Sequence, residues 1–140
     1  MSKELFFGLV RKNGADTRAN MLTLANEPEY TLYFINDSDH PVVIKRISFG
    51  GFQTYDDEVV MIPPKDIETD MTVEPHGYAL YDELYADCME GAGQYRAYVE
   101  VEGCMKMLEF YNSAFSGFFG SLIPCLNKYG RVIRPQIFDV

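Results

Sequence analysis

Tryptophan is absent from this chain of 140 residues, histidine occurs at two positions and cysteine at three. Cys88, Cys104 and Cys125 are odd in number, widely spaced and free of any Cys-x-x-Cys pair, which argues against a complete disulfide framework and for a reducing, cytoplasmic setting. Basic residues are scarce as well: 12 Lys and Arg stand against 21 Asp and Glu, a net charge of -9. The deficit is concentrated between Glu27 and Glu109, where 18 acids meet five bases. Coulomb attraction to phosphate supplies nearly all non-specific nucleic-acid affinity, so this balance speaks against direct binding to nucleic acid or to anionic lipid surfaces. Long apolar runs are missing too. Arg11 and Lys12 cut the run Leu5 to Val10 short of a signal-peptide core, and no later stretch approaches membrane-spanning length, so a soluble, unprocessed chain is expected.

Catalytic signatures are equally scarce. There is no Gly-x-Ser-x-Gly, no phosphate loop and no dinucleotide fingerprint; Gly117 and Gly120 bracket two phenylalanines without the lysine that a phosphate loop needs. None of the three cysteines has a histidine near it in sequence to act as a base. No enzyme and no cofactor are expected.

What the chain does have is aromatics, 10 Tyr and 10 Phe, set in short runs that suit pleated sheets. The length suits one domain, residues 1–140, with a core of its own. Leu5 to Val10 reads as a strand, while Met21 to Ala25 fits a short helix or a strand equally well. Thr31 to Ile35 and Val42 to Phe49 read as strands joined by Asn36 to Pro41, whose Asn, Asp and Ser side chains satisfy nearby backbone donors. Gly50-Gly51 breaks the second of these before Phe52 to Tyr55. Glu58 to Ile62 ends at Pro63-Pro64, and Ile67 to Val73 follows with Ile67, Thr69, Met71 and Val73 on one side. Tyr78 to Tyr85 comes after a Pro75-His76-Gly77 turn. In Gln94 to Glu102, period-two alternation turns Tyr95, Ala97, Val99 and Val101 inward and Gln94, Arg96, Tyr98, Glu100 and Glu102 outward. Met105 to Tyr111 is its hairpin partner, a short helical or irregular cover is expected near residues 113–122, and Arg131 to Val140 closes as a strand. The spacing predicts an all-β antiparallel sandwich.

The stretch Gly93-Gln94-Tyr95-Arg96-Ala97 resembles the corner of immunoglobulin-like domains, in which a tyrosine hydroxyl ties strand to loop and the position two residues later often carries the inter-sheet cysteine. Here Ala97 holds that place and the Tyr30 to Asn36 strand has no cysteine, so the resemblance implies a disulfide-free immunoglobulin-like β-sandwich. Leu5-Phe6-Phe7-Gly8-Leu9-Val10, Tyr33 to Ser38 and Lys106 to Tyr111 resemble the β-rich segment that precedes the Smr domain in some bacterial Smr-type proteins. The chain stops before any such domain, so the resemblance implies an accessory or adaptor module rather than a nuclease.

Two groups of residues compete as a site. Tyr98, outward among Arg96, Glu100 and Glu102, suits a recognition face for a protein with a basic surface, or for self-association, with Asp56 and Asp57 as an acidic rim. The competing reading is a small-molecule, carbohydrate or calcium site among loops at one end, drawing on Asp37, Asp39, Asp56, Asp57 and His76. Asp37, Asp39 and His40 lack EF-hand spacing, and turn chemistry accounts for each of them, so no metal site is expected. His40 and His76 meet only if their two loops share an end of the sandwich. The acids Asp82, Glu83, Asp87 and Glu90 around Cys88 read as solvated loop.

Overall fold

The computed structural model describes the backbone of residues 4–11, 30–55, 58–84, 92–115 and 117–140, and the side chains of these except 51–55, 58–65 and 92. Among these residues ten strands are formed: β1 (Leu5–Arg11), β2 (Tyr30–Asn36), β3 (Val42–Tyr55), β4 (Glu58–Val73), β5 (Gly77–Leu84), β6 (Ala92–Val101), β7 (Cys104–Tyr111), β8 (Ser121–Ile123), β9 (Lys128–Ile133) and β10 (Gln136–Asp139). They build two antiparallel sheets of five, ordered β5-β2-β1-β9-β8 and β10-β7-β6-β3-β4. The expected short segment near 113–122 is a single 3-10 turn, Asn112–Phe115, followed by β8. Gly117 adopts φ 123°, a conformation no helix passes through, and Phe115 is buried while Phe118 and Leu122 stand exposed.

The core lies between the sheets, because each contributes one alternating face. Leu5, Phe7, Leu9, Leu32 and Phe34 pack from the first sheet against Val42, Ile44, Ala97, Val99 and Leu108 of the second. The alternation expected along β6 is realised: Ala97 and Val99 are fully buried, Tyr95 and Val101 nearly so, and Tyr98 lies half-buried on the outside. Phe7 meets Tyr81 edge-on at 5.1 Å and Phe110 at 4.8 Å, and Tyr95 stacks on Phe110 at 5.0 Å. Across the core, the Tyr81 hydroxyl on β5 donates to the Arg96 carbonyl on β6 at 3.1 Å. A buried hydroxyl needs such a partner.

Two expected breaks are not breaks, and one expected strand is broken. β4 runs through Pro63-Pro64, which fall where the pairing with β3 slips by one residue between Phe49↔Lys65 and Gly51↔Ile62. An edge strand at a bulge needs no amide from proline, so the strand continues. The glycine pair of β3 is absorbed at the same slip instead of ending the strand. The closing run is two strands, because Arg134-Pro135 carries the chain from β9 in one sheet to β10 in the other.

A second small core lies outside the first sheet. The β8–β9 hairpin folds across the outer side of β1 and β2, with Ile123 and Leu126 against Phe6 and Ile35. Gly130 permits this, since a Cβ there would sit 2.3 Å from the Leu9 carbonyl oxygen.

Candidate functional site

Two surfaces collect functional side chains, and local structure explains both. The first is the outer face of the second sheet. Between Ile44 and Arg46, β3 holds one more residue than β6, so Lys45 and Arg46, though adjacent, are both turned away from the core, while Ile44 and Ile47 flank them facing inward. Lys45 Nζ donates to Asp70 Oδ1 at 2.7 Å and lies 3.8 Å from Glu100. Arg46 forms a two-pronged pair with Asp66, Nε to Oδ1 at 2.6 Å, and its guanidinium rests 5.3 Å above the Tyr98 ring. Hydrogen bonding and attraction from Arg46 hold the Asp66 carboxyl below its ordinary range. Arg96 Nε donates to Glu109 at 2.7 Å, and Lys106 Nζ to Asp139 at 2.6 Å. Tyr98, Arg46, Glu68, Asp70 and Met105 line a shallow hollow of about 490 Å³. Thr69 lines it as well, at a slip in the β3–β4 pairing, and does not sit simply on the inner side with Met71 and Val73.

Cross-strand pairing extends this face. Phe138 pairs with Met107, Met107 with Tyr98, and Tyr98 with Arg46, so the four share one row over β10, β7, β6 and β3. Of the residues expected on this face, Tyr98, Arg96 and Glu100 are there. Glu102 is not: it sits in the β6–β7 turn at φ 50° and pairs with His40 at 3.3 Å. Alternation stops where the turn begins. Asp56 and Asp57 lie outside the described residues, as do Cys88, Asp87 and Glu90.

The second surface is the end of the sandwich where β2 crosses to β3 and β4 to β5. Asn36, fully buried, is the reason the two loops meet: its amide donates to the carbonyls of His40 (2.8 Å) and Val73 (3.0 Å), and its oxygen accepts from the Ser38 amide (3.1 Å). Ser38, also buried, accepts from the His40 amide through its hydroxyl, and its carbonyl accepts from the His76 amide at 3.2 Å. His76 is thereby brought against the loop of Asp37 and Asp39. Its Nδ1 is 2.9 Å from Asp37 Oδ1 and its Nε2 is 2.7 Å from Asp39 Oδ1. The two loops do share an end, yet His40 turns to Glu102 and stays out of the group.

Cys125, which no spacing in the sequence connects to this loop, completes the cluster. The β8–β9 turn delivers it across the outer face at φ 69°, and its thiol donates to Asp37 Oδ1 at 3.1 Å. Ligand atoms of Asp37, His76 and Cys125 lie within 4.8 Å of one another. Hydrogen bonds from His76 and then Cys125 lower the Asp37 carboxyl, those to Asp37 and Asp39 raise His76, and burial together with Asp37 pushes the Cys125 thiol up to about 12. A thiol so held is protonated near neutral pH and a poor nucleophile. With one thiol and one imidazole, the donor set departs from the all-oxygen shell that calcium takes.

No helix among the described residues is long and apolar enough to cross a membrane. No family model matches the chain, and no curated protein matches it. A solved structure, Northeast Structural Genomics Consortium target SoR45, is similar over 99% of this chain and 89% of that one, at 10% identity and a TM-score of 0.44.

Proposed function

We propose that the protein is a non-catalytic binding module, immunoglobulin-like in the broad sense and of an adaptor kind, whose recognition face is the outer side of β10, β7, β6 and β3. The row Phe138, Met107, Tyr98 and Arg46 carries this reading. Aromatic, methionine and arginine side chains are the types enriched at interfaces, and Tyr and Arg dominate binding hot spots. The partner is a protein with a basic surface: Glu68 and Asp70 line the hollow, Asp66 and Glu100 stand beside it paired with its bases Arg46 and Lys45, so acids outnumber bases there, in a chain of net charge -9. Charge complementarity of this kind raises association rates and is weakened by salt. Free thiols at Cys104 and Cys125 accord with a reducing compartment. The immunoglobulin comparison draws support from Tyr95 and Ala97 facing inward on β6, although the hydroxyl shown to span the layers belongs to Tyr81.

A photo-crosslinking residue at Tyr98 is expected to trap basic proteins in a salt-sensitive manner, whereas one at Tyr129, on the other sheet, is not. Tyr98→Ala should then lower affinity for a trapped partner at least about 30-fold while changing unfolding free energy by about 1 kcal/mol or less. Equal trapping from both positions would remove the face. Self-association is the second reading, favoured by Tyr78 and Leu80, each 52% exposed on the edge strand β5. Light scattering that shows a dimer broken by Leu80→Lys and untouched by Tyr98→Ala would select it.

A further inference from the structure

We propose that Asp37, His76 and Cys125 form a binding site for a divalent transition metal of the zinc class, with Asp39 as the outer partner that orients the histidine. Three separate loops bring one carboxylate, one imidazole and one thiol to a common point, and their ligand atoms lie within 4.8 Å of one another. Asp37 Oδ1 already stands 2.9 Å from His76 Nδ1 and 3.1 Å from Cys125 Sγ. Tetrahedral coordination at the usual zinc bond lengths requires ligand separations of about 3.3–3.6 Å. The two separations at Asp37 therefore have to open by about half an ångström, while the imidazole and the thiol, within 4.8 Å of each other, settle into the same range, on loops whose side chains are partly exposed. The softness of the donors sets the class of metal, since a thiolate with an imidazole favours zinc, cobalt or copper over magnesium and calcium.

The histidine geometry is a separate observation that fits the same ligand. Asp39 Oδ1 lies 2.7 Å from His76 Nε2, so when a metal takes the place of the Nδ1 proton the remaining imidazole proton stays on Nε2 against Asp39 and the Nδ1 lone pair is directed to the ion. A carboxylate behind a ligating histidine is a common outer arrangement of zinc sites. On binding, the thiol proton passes to solvent, together with the imidazolium proton where the ring is charged, and a sulfur–metal and a nitrogen–metal bond take their place. Water fills the fourth position. This site is independent of the recognition face around Tyr98.

Cobalt(II) titration of the whole chain tests the assignment. A sulfur-to-cobalt charge-transfer band in the near ultraviolet and tetrahedral visible bands are expected, both displaced by zinc, with proton release into weak buffer. A Cys88→Ser/Cys104→Ser chain keeps the bands and Cys125→Ser loses the near-ultraviolet one. His76→Asn, placed in an exposed turn where asparagine tolerates the positive φ, weakens binding at least about 100-fold, and Asp39→Asn about 10- to 100-fold. Zinc also raises the melting temperature of the wild type and not of His76→Asn. Absence of the bands in the wild type overturns the proposal. So does their persistence in both Cys125→Ser and His76→Asn, which would place the metal elsewhere.

Discussion

Single side chains decide both surfaces. Arg46 holds Asp66 in its ionised form, so the folded-state value of that carboxyl lies below the unfolded one. The stabilisation from this pair is therefore present above the ordinary value of 3.8 and is lost as pH falls through the lowered one. An NMR titration should find the Asp66 midpoint below 3.8 in the wild type and back at its ordinary position in Arg46→Gln. Asn36 matters more to the fold. Fully buried, it serves the carbonyls of His40 and Val73 with one amide group, and alanine would strand both acceptors together with the Ser38 amide. Urea unfolding of Asn36→Ala should show a loss of about 2–4 kcal/mol. This residue also shows how far sequence reading reaches. Asn36 and Ser38 are legible as turn formers from residue type alone. Their second task, fastening the loop of Asp37 to the turn of His76 through Val73, depends on a contact 37 residues away that no local pattern encodes.

Among the elements, those with clean alternation were the legible ones. β6 was readable because its apolar positions keep period two from Tyr95 to Val101. β3 was readable as a strand, but not as one in which Lys45 and Arg46 point the same way, because a bulge is defined by the neighbouring strand and not by its own composition. Proline read as a stop at residues 63 and 64 for a similar reason: whether a missing amide matters depends on whether the strand lies at an edge. The β8–β9 hairpin was the least legible element. Its position rests on a close backbone approach, with room for no Cβ at Gly130. Gly130→Ala should push β9 from β1, cost about 2–3 kcal/mol in thermal or urea unfolding, and speed alkylation of Cys125 as the hairpin lifts from Phe6 and Ile35.

Over the whole molecule, the two surfaces sit on different layers and use different chemistry. The Tyr98 face belongs to the second sheet and is held by exposed ion pairs, whereas the cluster at the end draws on loops from both sheets and on a buried amide network. Fold class was legible because an alternating pattern reports one buried side per strand. The cluster was not, because convergence of residues 37, 76 and 125 is a property of topology. Pairing across the first sheet has one more result. Its strand β1 lies between β2 and β9, and Phe7 sits opposite Ile133. During synthesis the ribosome makes β1 long before β9, so one flank of an early strand must wait open until almost all the described chain has emerged. Closure of so distant a pair is slow, and until it happens that flank offers unpaired backbone groups to any neighbouring chain.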